Sequence, residues 1–201
     1  MTNCMYDILN KVANYNNIGF DLDDTIYRRN DYDYSIYYRF FQHQNMDDNL
    51  SSYYANELLS LRKEKGDDYP CLFDDLIKMY DLKFSIDDFL KFYKYPPIID
   101  VEDKIVLKDL IVFLHSLKRT IFLITNGYFI TQMNKIFALN IQKYFNQIII
   151  LSPEFGLPLK PDPSVKKILR LSGSTIYIGD KESDEIFAKN CGFDFYKINL
   201  K

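Results

Sequence analysis

After Asp103 the chain settles into a repeat that few folds can satisfy: an apolar helix face, a short unbroken apolar run, then a helix again. Leu107, Leu110, Ile111, Leu114 and Leu117 recur at helical spacing, and the continuous run Ile121 to Ile124 follows. A helix over about 129–139 leads to the run Ile148 to Leu151. Asp162 and Pro163 then supply an N-cap and a first helical position for a helix reaching about Leu171, which Ser172 and Gly173 end. Ile176 to Ile178, a helix over Ser183 to Asn190 backed by Gly192, and Phe193 to Ile198 complete the series. Apolar runs without polar alternation suit strands covered on both faces. Strand–helix repetition with short links predicts an α/β fold built on a doubly wound parallel sheet with right-handed crossovers.

Such sheets hold ligands beyond the carboxyl ends of their strands, so the polar residues at the strand tips carry the chemistry. The first tip lies upstream. Ile18, Phe20 and Leu22 mark a short buried strand behind an amphipathic helix over 3–14, built on Met5, Ile8, Leu9 and Val12 and ended by Asn14, Asn16 and Asn17. Asp21 and Asp23 stand at the end of that strand, with Thr25 two residues further on. This oxygen-rich cluster can bind a hard divalent ion while one carboxylate attacks an electrophile and the other moves protons. Alone, it reads more simply as a solvated acidic turn after a strand.

Three later tips change that balance. Thr125-Asn126-Gly127 offers a hydroxyl, backbone N–H groups and a permissive glycine before a helix N-terminus, which suits a phosphate as well as a plain capped turn. Lys160-Pro161-Asp162-Pro163 stiffens the chain around a lysine able to offset charge during phosphoryl transfer, where a surface lysine is the plainer alternative. In Gly179-Asp180-Lys181-Glu182-Ser183-Asp184, a tip aspartate and a second one four residues on can face one cation. Mg²⁺ keeps several waters, so two or three carboxylates suffice, and capping by Ser183 or Asp184 is compatible with that role.

Between Tyr27 and about Asp100 the pattern is helical, with segments near 34–44, 51–65, 71–80 and 85–94. They are separated by Asn45 to Asn49, Gly66 to Pro70 and Asp81 to Lys83, and Pro96-Pro97 breaks the run. Ser51 and Ser85 stand where N-caps belong. The domain reading is therefore an α/β core over 1–26 and 101–201 with an all-helical cap over 27–100. About half of the Tyr and Phe residues fall in the cap, either as a stacking surface for a nucleobase or, the more economical account, as cap core.

A net charge of -3 gives no reason to expect nucleic acid or an anionic membrane. Cys4, Cys71 and Cys191 lack metal-ligand spacing and suggest reduced thiols. With only His43 and His115, histidine-based zinc chemistry is disfavoured. Asp7 and Lys11 interrupt any signal-peptide pattern, and no apolar run is long enough for a bilayer, so a cytoplasmic location is expected.

Taken together, Asp21-x-Asp23-x-Thr25, Thr125, Lys160 and Gly179-Asp180 with Asp184 resemble the haloacid dehalogenase superfamily on its phosphatase side. The resemblance covers nearly the whole chain, including a helical cap inserted between core strands 1 and 2 of a Rossmann-like sheet. It implies that Asp21 is the nucleophile and that Asp23 is the acid and later the base. It implies that Thr125 and the backbone at Asn126 bind phosphoryl oxygens, while Lys160 neutralises charge around Asp21, a part more electrostatic than structural. Mg²⁺ is implied on Asp21, the carbonyl of Asp23 and Asp180, with Asp184 in support. The activity implied is hydrolysis of a small phosphorylated metabolite through an aspartyl-phosphate. A phosphotransferase or mutase, and a silent binding protein on the same scaffold, are the alternatives. Mutases of the family tend to carry Gly-Val where this chain has Asp24-Thr25, and the intact aspartates and lysine count against silence. The stretch from Tyr80 to Tyr93 and on into Thr125-Asn126 is similar to the pyrimidine 5′-nucleotidase-like branch, which puts a nucleoside monophosphate first and a sugar phosphate close behind.

Overall fold

The computed structural model describes residues 3–66, 69–96 and 101–200. In chain order the helices and strands are α1 (Asn3–Val12), β1 (Asn17–Phe20), α2 (Arg29–His43), α3 (Asp48–Lys65), α4 (Leu72–Tyr80) and α5 (Ile86–Lys94). They continue with α6 (Lys108–Ser116), β2 (Thr120–Asn126), α7 (Phe129–Ala138), β3 (Gln147–Leu151), β4 (Thr175–Gly179), α8 (Glu182–Cys191) and β5 (Asp194–Lys197). The chain divides into two compact units, Met1–Arg28 with Val101–Lys201, and Arg29–Asp100.

All five strands are parallel, in the order β3-β2-β1-β4-β5. From the central strand the chain builds outward through β2 and β3, then crosses to the other side for β4 and β5. The topological switch point therefore lies between β1 and β4, where ligands bind in sheets of this kind. Phe20 is level with Leu123 and with Ile178, so β1 and its two neighbours place their carboxyl tips side by side. Every residue of β1 is buried, which is why its sequence shows no polar alternation. Phe122, Ile124, Leu151, Tyr177, Phe187 and Phe193 belong to the apolar core of this unit.

Several expectations needed correcting. The helix expected from Pro163 to about Leu171 is a short 3-10 helix, Pro163–Ile168. Asp162 does cap it, accepting from Ser164 N at 2.8 Å. Beyond Leu169 the side chain of Gln147 captures both backbone groups of Arg170, which competes with helical bonding. Leu117 does not continue the apolar face of α6: the helix ends at Ser116 and Leu117 is half exposed. The N-cap of α3 is Asp47, which accepts from Leu50 N, and Ser51 sits buried one turn inside.

In the unit of α2 to α5, Ser85 caps α5 as expected. Much of its interior is aromatic: the Phe40 ring meets those of Phe41, Phe73, Phe84, Phe89 and Phe92, and Phe73 stacks on Phe89. Asp33 is wholly buried on α2. It accepts from Arg62, from Arg29 at 3.2 Å and from the Tyr93 hydroxyl at 2.9 Å. The Pro97 half of the Pro96-Pro97 break, residues 67–68 of the Gly66 to Pro70 link, and the side chains of Cys4 and Met5 lie outside the described residues. Among the described residues no helix is long and apolar enough to cross a membrane.

Candidate active site

The tips of β1 and β4 bring three carboxylates to the switch point. Single oxygens of Asp21, Asp180 and Asp184 lie within 4.8 Å of one another. Asp21 follows β1 directly, and its N–H donates to Ile178 O at 2.9 Å, which extends the ladder to β4 by one bond. Asp180 follows β4, and Asp184 stands in the first turn of α8, where it accepts from Lys181 N at 3.2 Å. The helix-capping part foreseen for Asp184 thus coexists with its place in the cluster. Gly179 permits the approach, since a Cβ there would fall 2.5 Å from Asp184 Cβ.

Lys160 is the cation of this cluster. Its Nζ donates to Asp21 Oδ1 at 2.6 Å, to Asp184 Oδ1 at 2.6 Å and to the Tyr177 hydroxyl at 3.0 Å. The Lys160–Pro161 peptide is cis. Burial opposes the charge on Lys160, yet the surrounding Asp21, Tyr177 and Asp184 hold the ammonium well above its usual range. Burial pushes Asp21 up to about 7; Lys160 pulls it back and Asp184 adds to the rise. Two carboxylates thus meet one ammonium with Asp180 beside them, and this excess of hard oxygen donors suits Mg²⁺.

Asp23, only two residues on, occupies different surroundings. Both its oxygens accept from Lys135 Nζ, at 2.9 and 2.8 Å, while Gln132 Nε2 reaches Oδ2 at 3.3 Å and the Tyr27 hydroxyl donates to Oδ1. Its carboxylate is outside the three-aspartate cluster. Thr25 is wholly buried, and its hydroxyl finds no hydrogen-bond partner among the described residues.

At the tip of β2, the hydroxyl of Thr125 is buried and accepts from Gln132 Nε2 at 2.6 Å. Asn126 turns its side chain to the lysine loop: Nδ2 donates to Lys160 O at 3.1 Å and Oδ1 accepts from Lys160 N at 3.0 Å. This two-way bond fixes the backbone from which the Lys160 ammonium reaches the aspartates. The N-terminus of α7 is partly spoken for, because Phe129 N donates to Glu154 Oε2 at 3.0 Å and Gly127 N donates to Leu151 O at 3.1 Å. The reading of this turn as open phosphate-binding backbone is narrowed accordingly.

The sequence reading passed over Lys135, Gln132, Tyr27 and Tyr177. For the first two a signal existed: Gln132 and Lys135 interrupt the apolar face of α7 three residues apart, and buried polar residues at helical spacing ask for a partner. Tyr27 and Tyr177 gave none, because an aromatic next to or within a strand reads as core.

A sequence profile for haloacid dehalogenase-like hydrolases matches residues 18–198. The glyceraldehyde 3-phosphate phosphatase of Methanocaldococcus jannaschii is 29% identical over 180 residues, which cover 84% of this chain and 78% of that protein. Among solved structures, the putative HAD-hydrolase YfnB of Bacillus subtilis, bound to magnesium, shares the fold with a TM-score of 0.64 at 20% identity, covering 93% of this chain and 89% of that one. A putative beta-phosphoglucomutase of Thermotoga maritima does so at 0.59 and 16%, covering 92% and 86%. The L-2-haloacid dehalogenase of Xanthobacter autotrophicus does so at 0.54 and 13%, covering 92% and 77%.

Proposed function

Since the chain belongs to the haloacid dehalogenase-like hydrolase family, we propose that it hydrolyses a small phosphomonoester with Mg²⁺, through an aspartyl-phosphate on Asp21. One observation carries the reading: two carboxylates two residues apart each meet a buried lysine but keep different company, Asp21 beside Asp180 and Asp184 and Asp23 beside further donors. Paired titratable groups in divergent environments are how a site divides nucleophilic from acid–base work.

Lys160 engages Oδ1 of Asp21, and a carboxylate oxygen of Asp21 attacks phosphorus. The bond from phosphorus to the leaving oxygen breaks, and protonated Asp23 supplies that oxygen with its proton. Asp23 then takes a proton from the water that displaces phosphate from Asp21. Thr125 with the tip of β2, and the Lys160 ammonium, would stabilise the charge on the transferring group. Mg²⁺ held by Asp21, Asp180, Asp184 and the carbonyl of Asp23 would neutralise phosphoryl oxygens while the nucleophile approaches.

In this reading residues 1–26 and 101–201 carry the chemistry and 27–100 the specificity. Of the two substrate classes, a small sugar or triose phosphate is favoured over a nucleoside monophosphate. The cap phenylalanines pack on one another, as the cap-core account has it, rather than offering a stacking surface for a base. A glyceraldehyde 3-phosphate phosphatase, the Methanocaldococcus jannaschii relative, acts on a substrate of this class.

The test is phosphate release from 4-nitrophenyl phosphate and from a panel holding glyceraldehyde 3-phosphate, hexose phosphates and nucleoside monophosphates. Release is expected with Mg²⁺ and not with excess chelator. Equal release in chelator overturns the metal, and a preference for nucleoside monophosphates overturns the substrate class.

A further inference from the structure

We propose that Lys135 and Gln132 are positioning residues that fix the aim of the Asp23 side chain for the water-consuming half of the reaction. The inference rests on the aspartyl-phosphate reading above. Three side chains donate to Asp23: Lys135 Nζ to both oxygens, Gln132 Nε2 to Oδ2 and the Tyr27 hydroxyl to Oδ1. Held by three side chains, the two oxygens keep one orientation.

The device is built into one helix. Gln132 and Lys135 stand three residues apart on α7, hence on the same face, and they are 2% and 4% exposed. Burying a lysine there instead of an apolar residue is costly unless its charge is met, and Asp23 meets it. The Gln132 amide also reaches Thr125 Oγ1 at 2.6 Å and Asn126 O at 3.0 Å, so the same face ties Asp23 to the tip of β2. Gly127 leaves room for it. At φ +149° it adopts a conformation that L side chains rarely adopt, and a Cβ would lie 3.0 Å from Gln132 Cγ.

The step served is explicit. The Asp23 carboxylate accepts a proton from water as the water oxygen bonds to phosphorus. The bond from phosphorus to the Asp21 oxygen breaks, its electron pair returns to the carboxylate, and inorganic phosphate leaves. Lys135 touches none of these atoms and acts through Asp23. Without it Asp23 loses its fixed aim, and the second half-reaction suffers more than the first when the leaving group is an activated phenolate that needs no proton.

Rapid mixing of the full-length protein and Mg²⁺ with 4-nitrophenyl phosphate, followed by intact-mass spectrometry, tests this. Lys135→Met is expected to release a burst of about one nitrophenolate per chain, then turn over about 10²-fold more slowly than wild type. A phosphate adduct should be visible on the variant and not on wild type, and Lys135→Arg should recover turnover and lose the adduct. Wild-type turnover in Lys135→Met, or slowing without burst or adduct, overturns the proposal. Should Lys135→Met fail to fold, Gln132→Met, which keeps the cation, is read in the same way: an adduct supports the positioning role and unchanged turnover overturns it. If wild type itself releases no nitrophenolate, the hydrolase reading beneath the inference falls, an outcome distinct from an active enzyme indifferent to position 135.

Discussion

Both compact units bury a carboxylate against a cation, and they balance it in opposite ways. In the helical unit a single carboxylate, Asp33, is met by Arg29, Arg62 and the Tyr93 hydroxyl. Donors outnumber acceptors, and the Tyr93 phenol is held well above its usual range by burial and by the charge of Asp33. In the α/β unit Asp21 and Asp184 share Lys160, and Asp180 stands in the same cluster. A buried cluster with its charge met holds side chains in place. One with carboxylates in excess is stable only when something positive completes it, and that marks the second cluster as the one built to bind and react.

The largest effect should come from replacing the two buried aspartates in turn. Asp21→Asn removes the attacking carboxylate, and turnover of 4-nitrophenyl phosphate should fall on the order of 10⁴-fold or more. Asp33→Asn leaves Arg29 and Arg62 short of their partner and should cost roughly 3–5 kcal/mol of stability, read by thermal melting, with phosphate release still measurable in the folded fraction. A folded Asp33→Asn protein as inactive as Asp21→Asn would erase the distinction between the clusters.

Replacing the cations sharpens it. Lys160→Met should lower turnover by about 10²–10³-fold, as when a preorganised charge stabiliser is lost. Sequence alone made Lys160 an electrostatic residue with little structural weight, but it is buried and bonded to Asp21, Asp184 and Tyr177. Its loss should therefore also lower the melting temperature, and Mg²⁺ should restore much of that by supplying the missing charge. Arg62→Met should lower the melting temperature with no recovery in Mg²⁺. Recovery of both variants, or of neither, in a Mg²⁺ titration of the melting point would break the comparison.

What sequence made legible follows from what it encodes locally. The apolar runs gave the strands, and the strand tips gave Asp21, Asp180, Asp184 and Lys160, because the tips of a parallel sheet converge whatever the helices do. The side chains that orient them were hidden. Asn126 bonds the backbone of Lys160 34 positions away, and Lys135 meets Asp23 across 112 positions. Neither pairing leaves a local pattern. The 3-10 helix Pro163–Ile168 was missed for the same reason, since Gln147, on another strand, captures Arg170. In the helical unit composition pointed to aromatics but not to their use. Only the ring contacts around Phe40 and Phe73 show them to be interior.

The smallest effect concerns pH, and it separates the clusters without mutating the cap. Burial raises Asp21 from the ordinary carboxylate range to about 7 in the metal-free protein. Between the unfolded value near 3.9 and about 7, the folded state then binds more protons than the unfolded one, so stability falls as pH rises through that window. Lys160, held well above the usual lysine range, stays charged throughout and adds no slope there. Mg²⁺ competes with the Asp21 proton, so its stabilising increment should grow with pH up to about 7 and then level off. At this chain length each 1 kcal/mol reads as about 2–4 °C. Melting curves at pH 5, 6, 7 and 8, with chelator and with Mg²⁺, should show the metal-free midpoint falling and the Mg²⁺ increment widening by a few such steps. In Asp21→Asn the increment should lose this pH dependence, because the amide has no proton to displace. An increment equally large at every pH in the wild type would place the cation away from Asp21, and the excess of carboxylates at the switch point would need another explanation.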